Sequence, residues 1–186
     1  VNVFEASRKF GVSKLVACLT TGMYPPNAPL PLQEKTIHHG EPHSSNYGSS
    51  FAKRMIEPMI RGYREEYSLD CVGLIPNGIF GPNDNFHPEH APMLPAQILN
   101  VLKASQTGSD VIVWGDGKPL REYTFSYEIA RAFVWALESY SNEQVLNCGT
   151  TEELTIREII RHIADNFGVS ADRIKCDTNK PNGVHK

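Results

Sequence analysis

Short, fully apolar segments alternate with amphipathic segments of helical period along this chain, and this alternation constrains the fold more than any other feature. A strand that is apolar at every position is buried on both faces, as in a parallel sheet covered by helices. Strands are predicted at residues 14–19, 71–75, 110–114 and 144–148, with a weaker one at 173–176. The pattern therefore predicts βαβ units and an α/β fold with a mainly parallel sheet.

Helices and loops are predicted between these strands. Predicted helices cover residues 2–10, 46–67, 95–105 and 126–139, the last capped by Ser126, and loops cover residues 22–45 and 78–92. Thr155 and Glu158 form a capping box for a further helix with an isoleucine face. Pro58 lies inside the helix predicted over 46–67, and we expect it to kink or break that helix because proline has no N–H to donate.

The sequence opens within a predicted helix. A doubly wound nucleotide-binding domain starts with a strand, a glycine-rich turn and a helix, and neither G-x-G-x-x-G nor G-x-x-G-x-x-G occurs here. Either the protein lacks that half or the sequence begins after it. We expect a partial Rossmann-like, doubly wound parallel sheet without its first βαβ segment over residues 1–80. Residues 81–186 are predicted as a mixed substrate-binding region, a small C-terminal α/β part with returning Rossmann elements.

Composition excludes several partners. With 18 basic and 21 acidic residues there is no polybasic face for nucleic acid or an anionic membrane. No apolar run approaches the roughly 20 residues of a membrane span.

The four cysteines form no C-x-x-C pair and are interpreted as reduced thiols in the core, which indicates a reducing compartment. The loop histidines His38, His39 and His43 lack specific ligand spacing, so no metal site is predicted.

Four sequence motifs carry a family resemblance, at residues 18–25, 46–55, 76–86 and 114–123. In this order and spacing they resemble the extended short-chain dehydrogenase/reductases, that is, the NAD-dependent epimerase/dehydratases. Residues 37–43, 81–86 and 177–180 are most similar to the GDP-L-fucose synthase branch. The resemblance implies NADPH-dependent epimerisation and reduction of GDP-4-keto-6-deoxymannose, a homodimer and a cytoplasmic location, with an organelle as the open alternative.

The resemblance also implies a Tyr-x-x-x-Lys pair on the long helix and an assisting Ser or Thr at the preceding strand end. Lys53 matches the lysine, and Thr20 matches the hydroxyl. Ser49 stands at the tyrosine position, four residues before Lys53. Lys53 and Pro76 are the expected cofactor-binding residues. Tyr47 is turned about 240° from Lys53 on an ideal helix, so it is predicted as a packed or loop-facing ring.

Epimerisation in the family needs a cysteine and a histidine, and the matching positions here are Gly22 and Pro92. Neither side chain can exchange a proton. His87 and His90 lie in the loop before Pro92 and are interpreted as solvated; His90 would reach the site only if that loop were remodelled.

Substrate-binding positions are mixed. Arg121 matches an arginine that binds the nucleotide diphosphate, and Trp114 also matches, although a tryptophan ending a strand is more often packed in a core. Three positions depart from the family: Asn100 where a basic residue is expected, Gly78 after a displaced Asn77, and Asn182-Gly183 in place of Asp-Gly.

The sequence favours a GDP-L-fucose synthase homologue that has lost catalysis, because Ser49, Gly22 and Pro92 are altered together. Such a chain would serve as a binding or structural subunit that a larger assembly could contain, without binding NADP by itself. Pro58 makes the family homodimer doubtful. The alternatives are an active NADP-dependent enzyme whose first half lies outside the sequence, and a sensor that binds a GDP-sugar or NADP without reaction.

Overall fold

The computed structural model describes residues 1–180. Within them the helices and strands are α1 Asn2–Lys9, β1 Leu15–Cys18, α2 Tyr47–Arg54, α3 Ile56–Tyr67, β2 Cys71–Pro76, β3 Gly78–Phe80, α4 Met93–Thr107, β4 Val111–Trp114, β5 Leu120–Arg121, β6 Tyr123–Phe125, α5 Ser126–Ser139, β7 Leu146–Cys148, β8 Leu154–Thr155, α6 Ile156–Asn166 and β9 Ile174–Asp177. This content confirms the α/β class.

The chain forms two compact units. The first comprises Val1–Ile79 and Thr124–Gly149, and the second comprises Phe80–Tyr123 and the chain from Thr150 onward. The division of function between residues 1–80 and 81–186 stays a prediction.

The first unit is built on a parallel sheet with strand order β1-β2-β7. The central strand β2 is buried at every residue, as its unbroken apolar sequence predicts. Side chains of a strand alternate between the two faces of a sheet. Cys71 and Ile75 pack in one core cluster with Phe4 of α1 and Ile60 of α3. The opposite face carries a second cluster.

That second cluster joins Val72 and Leu74 of β2 to Ala136 of α5. Helices therefore cover both faces of the first unit's sheet, which is the doubly wound arrangement that the sequence predicts. The carboxyl ends of β1 and β2 lie side by side, with Cys18 opposite Leu74. In open α/β sheets, ligands bind outside this edge.

Pro58 interrupts the long helix as predicted. The first segment, α2, ends at Arg54, and α3 begins at Ile56 after a turn at Met55. Proline removes the hydrogen bond that would join residue 58 to the Arg54 carbonyl, and the break falls at that carbonyl. The helix predicted over residues 46–67 is thus two helices.

The second unit contains a parallel pair, β4 with β9, and an antiparallel pair, β5 with β8. Val101 of α4, Val113 of β4 and Ile160 of α6 belong to its core cluster. The capping box of α6 is confirmed, because Thr155 Oγ1 accepts from Glu158 N at 3.1 Å and Glu158 Oε2 accepts from Thr155 N at 2.8 Å.

Two local predictions are wrong. The segment predicted as a loop over residues 78–92 begins with strand β3, which pairs with β6. Its pairing partner is more than 40 residues away, so no local pattern announces this three-residue strand. Ser126 is the first residue of α5 rather than its cap, and Phe125 occupies the N-cap position. The serine therefore does not supply the capping oxygen.

Candidate functional site

Thr20 follows β1 and begins a tight turn at the carboxyl edge of the first unit's sheet. Thr20 Oγ1 accepts a hydrogen bond from Gly22 N at 3.3 Å and so caps the turn Thr21–Met23. The backbone N–H groups of Met23 and Tyr24 close the turn on the carbonyls of Thr20 and Thr21. A hydroxyl is therefore held at the strand end where the sequence places one.

Lys53 extends from α2 to the same edge. Its ammonium donates to the carbonyl of Cys18, the last residue of β1, at 2.6 Å. An ammonium carries three N–H donors, so this bond leaves donor capacity for a ligand. The structure brings Lys53 and Thr20 to the same strand end.

Ser49 lies one helical turn before Lys53, but its hydroxyl is directed elsewhere. Ser49 Oγ donates to Asn46 O at 3.1 Å, a bond within the helix start, and the side chain is exposed. Tyr47 is 51% exposed and packs edge-on against Phe51 with ring centroids 4.7 Å apart. Tyr47 is therefore a surface ring on its own helix, in agreement with its interpretation as a packed or loop-facing residue.

Ser50, next to Ser49, is 2% exposed and lies beside Gly22. A Cβ built on Gly22 would meet Ser50 Oγ at 3.4 Å and Thr20 Oγ1 at 3.6 Å, which are ordinary contact distances. No local sequence pattern marks Ser50 as a neighbour of this turn, because its place depends on how α2 packs. The space beside Gly22 is thus lined by two hydroxyls and accepts a small side chain.

The proline-rich loop after this turn is held against β7 by Asn147. Asn147 Nδ2 donates to Leu32 O at 2.9 Å, Asn147 N donates to Glu34 Oε1 at 2.8 Å, and Tyr24 Oη donates to Asn147 Oδ1 at 2.8 Å. These residues are more than 100 positions apart in sequence, so local reasoning could not find them. Asn147 fixes the course of the loop across the sheet edge.

The end of β2 is also constrained. Pro76, a predicted cofactor-binding residue, is buried. Asn77 Oδ1 accepts from Thr124 Oγ1 at 2.7 Å. A Cβ on Gly149 would lie 2.3 Å from the side-chain amide carbon of Asn77, so only glycine lets the two segments approach this closely.

The second unit carries the other predicted site residues. Arg121 lies on β5, and its Nη1 donates to Leu120 O at 2.6 Å. Trp114 ends β4 and is 64% exposed, with Lys180 Nζ 5.4 Å from its ring centroid. The expectation that a strand-ending tryptophan packs in the core is therefore wrong here, because residue 114 falls on the outward side of β4.

Pro92 precedes α4 as its N-cap and offers no side-chain donor. His87 and His90 are exposed and stacked, with ring centroids 4.8 Å apart. Asn85 orders both histidines, since it accepts from His87 N and donates to His90 O. Asn100 is exposed on α4. The Asn182-Gly183 pair lies outside the described residues.

The four cysteines are free thiols, but only Cys71 is buried, and burial raises its pKa to about 11. Cys18 is exposed at the end of β1, so the prediction that all four lie in a core is wrong for it. Over residues 1–180, no group of three His, Cys, Asp or Glu side chains is placed to hold a metal ion. In the same range no helix combines the length and apolar character that a bilayer crossing needs.

A family model, described as the NAD dependent epimerase/dehydratase family, matches residues 1–149. That is more than half of the chain. The chain belongs to the NAD-dependent epimerase/dehydratase family. The first unit's parallel sheet is thus a partial, doubly wound Rossmann-like sheet of this family. Lys53 and Thr20 lie at its carboxyl edge.

Curated relatives of this epimerase/dehydratase chain include GDP-L-fucose synthases. The chain is 36% identical to that of Dictyostelium discoideum over 187 residues, covering 100% of this chain and 58% of the relative. It is 30% identical to that of Escherichia coli K12 over 193 residues, covering 98% of this chain and 60% of the relative. The chain therefore spans about three fifths of the length of these relatives.

Solved structures point to the same relatives as the sequence comparison does. The crystal structure of a GDP-L-fucose synthetase from Naegleria fowleri superposes with a TM-score of 0.93 at 34% identity, covering 100% of this chain and 59% of that one. The same protein bound to NADP gives a TM-score of 0.92 at 34% identity, covering 99% and 59%. The predicted resemblance to the GDP-L-fucose synthase branch is confirmed.

Tyr24 gives this family member a pH-sensitive loop contact. Burial raises the pKa of its phenol to about 12, above the ordinary value of 10.0. The unfolded state therefore loses the proton first, and folding stability falls as pH rises from 10 toward 12, by roughly 1.4 kcal/mol per pH unit. We expect the Tyr24→Phe variant to show a smaller alkaline loss.

The measurement is the free energy of unfolding by denaturant at several alkaline pH values. Tyr67, an exposed ring, supplies the control variant Tyr67→Phe, which should keep the full loss. Equal alkaline slopes for Tyr24→Phe and the unchanged protein would contradict the assignment to Tyr24.

Proposed function

We propose that this chain is part of an NADP-dependent oxidoreductase acting on a GDP-linked 4-keto-6-deoxy sugar. The observation that carries the proposal is similarity along the whole chain to GDP-L-fucose synthases, at 36% identity to the Dictyostelium relative and a TM-score of 0.92 to an NADP-bound neighbour. The activity of the complete relatives comes to this chain only as a proposal, because the chain spans about three fifths of their length.

The donor chemistry at the sheet edge fits NADP. Lys53 offers an ammonium with donor capacity at the end of β1, and Pro76 ends the adjacent strand β2. These two residues would contact the cofactor, which supplies a hydride to the keto carbon when it is bound. The chain's own task is then to bind the ketone oxygen and deliver a proton to it.

Lys53 is the group best suited to deliver that proton. After its bond to Cys18 O, the Lys53 ammonium still carries protons that it can give to a bound ketone oxygen. The Ser49 hydroxyl is a far weaker acid, and it donates to Asn46 O. Thr20 Oγ1 accepts from Gly22 N, so its own proton is directed to another acceptor, such as the substrate oxygen. In this proposal, Lys53 protonates the oxygen and Thr20 polarises the carbonyl.

Substrate binding is assigned to the second unit. Arg121 presents a guanidinium suited to a diphosphate, and Trp114 presents an exposed ring. A GDP-sugar is therefore the proposed ligand. A homodimer and a cytoplasmic location are parts of the proposal that rest on the family resemblance, whereas a reducing compartment rests on the free cysteines. The interruption of the long helix at Met55 weakens the expectation of the family homodimer. Membership of a larger assembly belongs to the second candidate.

A second candidate is a binding or regulatory subunit without turnover. The residue types at three positions favour it. The position one turn before Lys53 holds an exposed serine, and Gly22 and Pro92, which match the family's epimerisation positions, lack proton-exchanging side chains. In that case NADP or a GDP-sugar would bind without reaction, or the chain would serve only as a structural subunit.

The deciding experiment measures NADPH consumption and sugar product with GDP-4-keto-6-deoxymannose, together with calorimetric binding of NADPH and GDP. We expect turnover in the unchanged protein and a loss of about 10²-fold or more in the Lys53→Met variant. Lys35→Met, which removes an exposed lysine of the loop, is the matched control and should retain the rate.

The outcomes separate the candidates. Binding of either ligand without turnover would establish the second candidate in its sensor form. Absence of both binding and turnover would overturn the enzymatic proposal and leave the structural subunit. Equal rates for Lys53→Met and Lys35→Met would show that the proton comes from another group.

A further inference from the structure

Two adjacent cations on α2 have different surroundings. Lys53 reaches the end of β1, whereas Arg54 is 6% exposed. Burial lowers the pKa of Arg54 from its ordinary value, which reflects the cost of removing a charge from water. A buried guanidinium needs several hydrogen bonds to offset that cost.

Arg54 obtains these bonds from the backbone of the proline-rich loop. Its Nε donates to Met23 O at 3.0 Å, Nη2 donates to the same carbonyl, and Nη1 donates to Gly40 O at 2.6 Å. The ring of Phe51 lies 5.2 Å from the guanidinium carbon. One side chain of α2 therefore joins two points of the loop that are 17 residues apart in sequence.

The two loop positions that Arg54 contacts, Met23 and Gly40, are both connected to the turn of the candidate site. Met23 directly follows Gly22 and ends the turn that Thr20 caps. Gly40 packs so tightly on Pro25 that an added Cβ would lie 3.3 Å from the proline Cβ. Fixing Gly40 therefore also fixes the stretch that leaves the turn.

We infer that Arg54 is a positioning residue, which sets the turn carrying Thr20 and Gly22 against the helix carrying Lys53. This inference rests on the proposed function for its catalytic meaning. Arg54 touches only carbonyls and a ring in these contacts, so it acts through the turn rather than on the substrate. Lysine cannot replace it, because a single ammonium lacks the planar fork that spans both carbonyls.

The first test does not depend on turnover. Hydrogen exchange is measured at the amides of Met23 and Tyr24, which close the turn, and at the amides of β2 as a reference for the fold. In Arg54→Lys we expect exchange of the turn amides to accelerate about tenfold while the β2 amides are unchanged. Arg61→Lys is the matched control, because Arg61 is an exposed arginine of α3 that bonds Glu57.

The second test measures how the loss of the Arg54 contacts affects catalysis. With GDP-4-keto-6-deoxymannose and NADPH, we expect Arg54→Lys to lower kcat about tenfold or more while KM for NADPH stays within about twofold, since small misplacements of reacting groups affect rate more than binding. Arg61→Lys should leave both parameters unchanged.

Each outcome decides the inference. Turn exchange equal to that of Arg61→Lys, or acceleration that extends equally to β2, would overturn it, because Arg54 would then have no effect or only a global one. Faster local exchange with an unchanged kcat would also overturn it, by making Arg54 structural. If the unchanged protein has no turnover, the proposed function fails, and local exchange alone decides whether Arg54 orders the turn.

Discussion

The Ser49→Tyr variant is expected to reduce GDP-4-keto-6-deoxymannose about 10²-fold or more faster than the unchanged protein, the usual contribution of a positioned general acid. Position 49 lies four residues before Lys53, so both side chains project from one face of α2. The serine there is exposed, which leaves room for a ring. The Lys53 ammonium would lower the pKa of the new phenol from about 10 toward neutrality.

A matched control distinguishes the effect of a phenol at position 49 from the effect of adding a phenol anywhere on α2. Gly48→Tyr adds the same phenol one residue earlier, where a built Cβ meets no atom within 4 Å. On a helix that ring points about 100° away, so this variant should keep the rate of the unchanged protein. NADPH consumption under equal conditions is the measurement. Equal rates for the two variants would mean that position 49 is not the place from which this fold delivers a proton.

Elements that depend on local pattern could be predicted from the sequence. A fully apolar run located β2 because burial on both faces leaves no polar position. A similar run located β4, but only Val111 and Val113 of that strand are buried, so burial on both faces is wrong for it. The proline at residue 58 located the break in the long helix, and the Thr155–Glu158 pair located the start of α6. In each case the cause lies within a few residues of the effect.

Features set by distant contacts could not be predicted. The two-residue strands β5 and β8 exist because they pair with each other more than 30 positions apart. Asn147 and Arg54 look like ordinary polar residues in sequence, yet they hold the loop beside Thr20. Trp114 ends an apolar strand, where a ring is usually packed in the core, yet its side chain is exposed. Contacts between segments that are distant in sequence decide all of these features.

The candidate site divides in the same way. Lys53 and Thr20 follow from motif spacing, and the fold places both at the end of β1. What the sequence could not supply is the direction of the Ser49 hydroxyl and the burial of Ser50, because both depend on how α2 packs against the turn. These orientations assign the proposed proton transfer to the lysine rather than to the serine.

Gly73 in the middle of β2 is expected to tolerate no side chain. A Cβ there would lie 2.8 Å from Leu19 Cδ1 and 2.9 Å from both Ile60 Cδ1 and Val145 Cγ1, three side chains that are themselves buried. Because the sheet and α3 close this space from both sides, Gly73→Ala must displace core atoms. We expect a loss of about 1–3 kcal/mol in the free energy of unfolding.

Gly62→Ala is the matched substitution, since Gly62 lies in α3 and a Cβ there meets no atom within 4 Å. Alanine has the higher helix propensity, so this variant should gain roughly 0.5–1 kcal/mol. The two variants add the same methyl group, and the difference between their free energies of unfolding in urea therefore isolates packing against the central strand. If Gly73→Ala is as stable as the unchanged protein, the core around β2 has more space than these contacts allow, and the close approach of Leu19, Ile60 and Val145 to the strand is wrong.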